Sequence, residues 1–381
     1  MRPLRICFVA PAGYAVLAGD RSVRMAGGAE VQQAFLSAEL ARRGHEVSMI
    51  SMDVGQREGD TARGVRLLTM HAPDAGLPGV RFVHPRLTSL WSAMKRADAD
   101  IYYQRASGAL TGFVSAFARR HGCRMVFAGA ADLDFHPELP MLRFSRDKWL
   151  YRWGARHAHQ IVVQTERQRT LCRETFGREA VRIDSCYGHQ GRPGQHGGVV
   201  LWVGAVKPIK RPEIFLDLVR RLPQWRFKLI GGPGAGQAHF DALRQHAAAL
   251  PNLEMTGFVP HADVEQHFDG AALLVSTAEK EGFPNTFLQA WARGIPTVSF
   301  FDTGSRVAGE PVGTVVPDLD AMAQAVERLL TDEPLWRREG ARAAEYVQRQ
   351  HGVGTVVDAY ESVFQGLMAQ HAPRAEARVH P

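Results

Sequence analysis

A chain of 381 residues, 45% hydrophobic and 22% charged, has the composition of a soluble globular protein and is too long for one ordinary core, which predicts two domains of about 150–200 residues each. No apolar run approaches the roughly 20 residues that a membrane-spanning helix needs. The formal net charge of +7 points to nucleic acid, an anionic membrane surface or anionic small molecules, and the lack of any zinc-finger, RNP-type or helix-turn-helix pattern makes nucleic acid the weakest of the three.

The first ten residues run straight into a strand-like segment, with neither a long apolar core nor a small-residue cleavage site, so no signal peptide is expected. Arg5–Pro11 reads as a buried strand. Residues 29–43 then place Val31, Ala34, Phe35, Ala38 and Leu40 on a helical period that Gly44 stops. Glu46–Ser51 is the next strand. Asp100–Tyr103 and Arg124–Phe127 bracket a helix from about Leu110 to Arg120, and strand Gln160–Gln164 leads into a helix through Leu171. This alternation predicts an α/β, doubly wound parallel sheet covered by helices.

Gly188–Gly198 is glycine-rich without an apolar anchor and reads as a linker. The rhythm then restarts: strand 199–203, helix 212–221, strand 227–230, helix 238–249, strand 253–256, helix 262–268, strand 271–275, a further helix and strand 297–300. A second doubly wound domain follows. Residues 333–366 read as a long helical tail, and Ala372–Pro381 as disordered. Cys7, Cys123, Cys172 and Cys186 show neither paired metal spacing nor a disulfide framework. Cys7 and Cys123 read as buried free thiols and the cytosol as the compartment.

In doubly wound sheets, ligands bind outside the carboxyl ends of the strands. In the first domain the loop Ala12–Ala26 ends at Gly27-Gly28-Ala29-Glu30. The two glycines serve either close ligand approach at a helix start or a tight helix entry. In the second domain three cations, Lys207, Lys210 and Arg211, crowd the loop after Gly204. Gly231-Gly232-Pro233-Gly234 and Gly257-Phe258-Val259-Pro260 follow the next two strands. After strand 271–275 come Glu279 and Glu281, with Pro284 as first helical residue and Gly294 as helix end. The free N–H groups over 284–287 make an anion site, and Gln289 lies one turn deeper on the face of Asn285. Glycine, cation and carboxylate chemistry on four successive loops predicts a nucleotide or nucleotide-diphosphate binder.

Gly27-Gly28-Ala29-Glu30, Trp202-Val203-Gly204 with Lys210-Arg211, Gly257–Pro260 and Glu281-Gly282-Phe283-Pro284-Asn285-Thr286-Phe287-Leu288-Gln289 together resemble the family 4 retaining glycosyltransferases of the GT-B fold, over residue 5 to about 368. The resemblance implies two Rossmann-like domains facing a cleft: an acceptor domain over 1–190 with a crossing helix at about 355–370, a sugar-nucleotide domain over 198–354, and a flexible tail at 371–381. It implies that Glu281 supports the reacting centre and that Lys210, with Arg211, neutralises the leaving diphosphate. Donor contacts fall to Gly28, Gly204, Lys207, Gly232, Val259 (its backbone holding the base), Phe283, Pro284 and Gln289, with the amides of Asn285 and Thr286 on the diphosphate.

Two departures stand out: Ala205 where the family has arginine, and Gln289 where it has a second glutamate. Lys207 or Arg211 replaces the first charge. Gln289 keeps a carbonyl for ribose hydroxyls and adds two donors, without charge assistance.

With no metal motif at a sugar-nucleotide-domain loop and no nucleophile–base pair, the front-face retaining route is expected. A hexosyl group would pass from a UDP- or GDP-sugar to a glycan or lipid-linked acceptor, without metal or other cofactor. A sugar-nucleotide epimerase and a non-catalytic binder remain alternatives. Asp132 and Asp134 serve either acceptor hydroxyls or a polar loop; Glu30, Tyr103, Arg105 and His136 are further acceptor-side candidates. The segment Arg143–Arg156 combines five cations with Trp149, Tyr151 and Trp153. It reads either as a helix on the inner face of an anionic membrane or as one packed on its own sheet with snorkelling arginines.

Overall fold

In the computed structural model, residues 2–20, 27–77, 80–188, 191–279, 281 and 283–370 are described. The strands Arg5–Val9, Glu46–Ser51, Ile101–Arg105 and Arg124–Ala128 are buried along nearly their whole length, the pattern of parallel strands covered on both faces. They belong to an eight-stranded sheet. From edge to edge its order is Thr61–Ala62, Val65–Thr69, Glu46–Ser51, Arg5–Val9, Ile101–Arg105, Arg124–Ala128, Gln160–Val163 and Val181–Arg182. All neighbours pair in parallel except the two-residue edge strand Thr61–Ala62. Strand order reverses between Arg5–Val9 and Ile101–Arg105, which defines a topological switch point there.

The second sheet is wholly parallel: Leu253–Gly257, Phe227–Ile230, Val200–Val203, Leu273–Ser276, Thr297–Ser299 and Thr314–Val315. Its order reverses between Val200–Val203 and Leu273–Ser276. The chain forms two compact units, Met1–Cys186 with Val353–Pro381, and Tyr187–Gly352. The doubly wound expectation therefore holds for both sheets.

Several sequence readings are corrected. The loop Ala12–Ala26 contains a short helix, Gly13–Ala18, whose Ala15 and Leu17 are buried. The proposed linker is tied down where it is described: Gly194 N–H donates to the Arg293 carbonyl (2.8 Å) and Gln195 N–H to that of Ala271 (3.0 Å). A Cβ on Gly198 would lie 2.2 Å from the Gly270 carbonyl oxygen, so that glycine serves close packing and not flexibility. The tail 333–366 is not one helix. Glu333–Tyr346 and Val353–Ala369 are separated by a wide turn, Val347–His351, and an extended Gly352.

The two halves of that tail have different cores. Trp336, Ala343 and Tyr346 pack in the second unit, whereas Val356, Tyr360 and Phe364 pack under the first sheet. Polar contacts hold the last helix there. Leu4 N–H donates to His45 Nδ1 (3.1 Å), which leaves Nε2–H to donate to the buried Glu361 (3.0 Å), and Arg43 adds a second contact to the same carboxylate (2.7 Å). The tail beyond residue 370 lies outside the described residues. All four cysteines are buried, and none is in a disulfide.

Candidate functional site

The switch point of the second sheet brings together the loops after Val200–Val203 and Leu273–Ser276. Both are anchored from below. The buried Trp202 donates Nε1–H to Thr277 Oγ1 (2.9 Å), and Thr277 donates its hydroxyl to the Lys210 carbonyl (2.8 Å). This relay crosses from one loop to the other and fixes the tight turn Pro208–Lys210. At its top Lys210 Nζ forms a hydrogen-bonded ion pair with Glu281, both side chains retaining partial exposure. A cation and a carboxylate from separate loops thus meet where strand order reverses, which is where a doubly wound sheet opens its ligand crevice.

The neighbouring loops are zipped to this one. Val206 N–H donates to the Gly232 carbonyl and Gly234 N–H to that of Val206 (2.9 and 3.1 Å). A Cβ on Gly231 would lie 1.8 Å from the Gly204 carbonyl oxygen, and one on Gly232 2.7 Å from Phe258 Cβ. Loop-on-loop packing therefore requires glycine at both positions, whatever Gly232 offers a ligand through its backbone. Gly204 differs: a Cβ there would make only ordinary van der Waals contact, 3.6 Å at the nearest, with Trp202 and Lys210. Lys207 is exposed, its stem running over Gly234.

Arg211 sits at a left-handed φ of 49° before Pro212, and its guanidinium lies over the Phe300 ring, 5.0 Å from the centroid. Lys210, not Arg211, pairs with Glu281. The helix that follows spans Asn285–Trp291, and Pro284 precedes it in an extended conformation instead of opening it. Phe287 N–H turns back onto the Pro284 carbonyl (3.0 Å), and proline has no N–H. The anion site expected over 284–287 therefore lacks two of its expected donors, those of Pro284 and Phe287. Phe283 stacks on His351 (4.9 Å, 26°), and Val259 is half-buried against the same core.

Gln289 is buried, and its amide donates to Glu265 (2.8 Å). Glu265 also accepts from the Tyr187 hydroxyl (2.9 Å) and pairs with Arg293 (2.9 Å), which reaches Asp269 as well (3.1 Å). Burial, with Glu265 beside it, pushes the Tyr187 phenol well up, so it stays a neutral donor. The sequence reading missed this cluster. Its one local signal was Arg293 standing four residues after Gln289 on one helix face; Glu265 and Tyr187 arrive from distant segments.

In the first unit, Gly27 and Gly28 open the helix Gly28–Arg42, and Glu30 turns back to accept from Gly27 N–H (3.0 Å), which makes Glu30 a cap. Asp134 is a loop clamp: one oxygen accepts from Ser107 N–H and Oγ–H (3.2 and 2.6 Å), the other from the amides of Ala130 and Ala131 (2.7 and 3.1 Å). This corrects its reading as an acceptor contact. Asp132 pairs with Arg167 (2.9 Å), and burial raises its pKa despite that cation. His136 is exposed, and its Nδ1 accepts from Glu138 N–H (3.2 Å). Arg105 ends the central strand Ile101–Arg105 and is buried.

Solved structures share this architecture. Sucrose-phosphate synthase from Thermosynechococcus elongatus superposes with a TM-score of 0.77 at 18% identity, covering 97% of this chain and 100% of that one. The starch synthase IV catalytic domain from Arabidopsis thaliana, solved with ADP and acarbose, gives 0.67 at 13% identity over 97% and 100%. The chain has the two Rossmann-like α/β domains of a GT-B protein. Residues 27–187 match the family described as "Glycosyl transferase 4-like domain", and 197–332 match "Glycosyl transferases group 1". Together the two matched stretches fall one on each sheet-bearing unit.

Among curated proteins, the D-inositol 3-phosphate glycosyltransferase of Kineococcus radiotolerans is 30% identical over 46% of this chain and 45% of its own length. The exopolysaccharide phosphotransferase of Streptomyces coelicolor is 26% identical over 58% and 25%. The chain thus spans less than half the length of these relatives.

Proposed function

We propose that this chain is a retaining glycosyltransferase that moves a hexosyl group from a UDP- or GDP-sugar to a hydroxyl of a glycan or lipid-linked acceptor. The observation that carries the reading is the Lys210–Glu281 pair joining the two loops at the switch point. In this reaction the bond from the sugar anomeric carbon to the diphosphate breaks, and the bond to the acceptor oxygen forms on the same face. The acceptor proton leaves on a phosphate oxygen. Lys210 neutralises the departing diphosphate, a role that needs no added divalent metal, while Glu281 holds the ammonium in place and lies beside the donor sugar. The curated relative in exopolysaccharide synthesis supports a role in building surface polysaccharide.

Incubation of the chain with a panel of sugar nucleotides tests the reading. Slow release of UDP or GDP from one donor, undiminished by EDTA, is the expected result. A changed sugar with the nucleotide retained would make the protein an epimerase, and tight binding without turnover a non-catalytic binder.

The same reading puts the enzyme on the cytoplasmic face of an anionic membrane. The supporting feature is the helix Ser145–His157. One side is locked against the helix Ala109–His121, where a Cβ on Gly154 would lie 2.6 Å from the Gly112 amide nitrogen. The other side presents Trp149, 63% exposed, next to exposed Phe144 and Met141. Arg146 lies over Phe82 (3.3 Å), which brings the exposed Val83 to the same surface. Apolar side chains among arginines suit the boundary of an anionic bilayer.

No helix among the described residues is long and apolar enough to cross a membrane. Co-sedimentation is expected with vesicles of phosphatidylcholine and phosphatidylglycerol and not with phosphatidylcholine alone, falling about tenfold in a Phe144→Ser, Trp149→Ser variant. Equal binding to both vesicle types would remove the electrostatic half of the proposal.

A further inference from the structure

Arg105 stands at the carboxyl end of the strand that forms one side of the first sheet's switch point. It is 7% exposed. Among the described residues its side chain makes one hydrogen bond, from Nη1 to the Tyr103 hydroxyl at a long 3.4 Å, and its Nε is buried with no partner. Tyr360, from the last helix, stands 3.3 Å from Tyr103, hydroxyl to hydroxyl, and burial keeps its phenol neutral. The nearby carboxylate, Asp134, already accepts four hydrogen bonds from Ser107, Ala130 and Ala131.

A guanidinium in this state is expensive to bury: the charge of Asp134 offsets part of the cost without a direct contact, and at least one donor goes unpaired. The backbone around it is equally constrained. Ala106, the next residue, has a left-handed φ of 70°, and Gln104 holds that turn by donating to the carbonyls of Arg105 and Ala106 (2.7 and 2.8 Å). Thr111 in turn donates to Gln104 Oε1 (2.7 Å). A preformed turn thus fixes a buried cation with unfilled donors at the sheet edge where ligands bind.

We propose that Arg105 is the anchor of an oxyanion subsite in the first unit, and that the acceptor carries a carboxylate or phosphate whose oxygens take the guanidinium's unused donors. Calling that ligand the acceptor rests on the sugar-transfer reading; the anion site itself does not. Arginine's planar fork suits both anions, and the Tyr360 phenol, kept neutral by burial, leaves the charge for the ligand.

The test is calorimetric titration of the full chain with glucuronate, glucose 6-phosphate and glucose, with UDP saturating so that the lysine-bearing loop of the second unit is occupied. At least one anionic sugar should bind roughly tenfold or more tightly than glucose. Arg105→Gln should abolish that preference and Arg105→Lys should keep part of it. The thermal midpoint of Arg105→Met should stay level or rise, since an uncompensated buried charge is removed. Glucuronate against glucose 6-phosphate tells carboxylate from phosphate. Equal or absent binding of all three sugars, a preference that survives Arg105→Gln, or a clear fall in the midpoint of Arg105→Met would each overturn the proposal. UDP affinity, measured first in the same samples, reports separately on the transferase reading.

Discussion

On the proposed sugar-transfer reading, Lys210→Ala is expected to lower turnover of the sugar nucleotide roughly 10²–10³-fold, the usual cost of removing one preorganised electrostatic contact to a leaving group. The main effect falls on kcat, because the ammonium is most needed as the diphosphate charge develops. Glu281→Gln is expected to lose a similar factor, since it frees Lys210 from the partner that positions it. The double variant should then be little worse than either single one, as groups that act as a unit lose their effect together. Thermal midpoints should change little, because both side chains are partly exposed and their pair contributes modest stability. Steady-state kinetics of the four proteins checks this. Full turnover in a Glu281 variant removes that residue from the mechanism, and strictly multiplicative losses remove the pairing.

Gln289→Glu is expected to destabilise the second unit, and to do so in a pH-dependent way. The buried Gln289 amide donates to Glu265 at 2.8 Å, so the new carboxylate would face an existing one at hydrogen-bond distance. Two such groups cannot both ionise cheaply, and one keeps a proton in the folded state. Its folded pKa then lies above the unfolded value of about 4.3. Between those two values the folded protein binds more protons than the unfolded chain, so stability falls as pH rises through that interval. The variant should sit near the parent at pH 4 and lie about 1–3 kcal/mol below it at pH 8, with Arg293 moderating the loss. Urea unfolding at both pH values decides the matter. An equal deficit at both, or a gain at pH 8, would show that the new carboxylate avoids Glu265.

At the position where the resemblance leads one to expect glutamate, the glutamine fits its surroundings, since its amide donates to Glu265. The acidic partner of Arg293 is already provided by Glu265, from a segment 24 residues earlier. Nothing in the local sequence around Gln289 announces that. The same limit appears at Arg211 and Lys210, adjacent cations of equal standing in the chain. Only the left-handed turn at Arg211 sends one guanidinium to Phe300 and leaves the lysine to Glu281. Asp134 likewise reads as a functional carboxylate until its four backbone and hydroxyl donors are in view.

What the sequence by itself determined is the set of features written in local chemistry. Continuous apolar runs such as Ile6–Val9 and Leu273–Val275 define parallel strands, since only a strand covered on both faces tolerates them. Helical periods closed by Gly44 and Gly294 define the intervening helices, and the loops between them show where glycine, lysine and glutamate gather. What only the tertiary structure decided is partnership. Gly231 is a packing glycine because the Gly204 carbonyl lies against it, the helical tail divides at Gly352 because its halves bury against different cores, and Arg105 keeps an unfilled donor among the described residues because Asp134 is hydrogen-bonded by other groups. The physical reason is common to all three: a residue's backbone preference and side-chain period are local properties, whereas burial, charge compensation and steric room are set by segments far away in the chain.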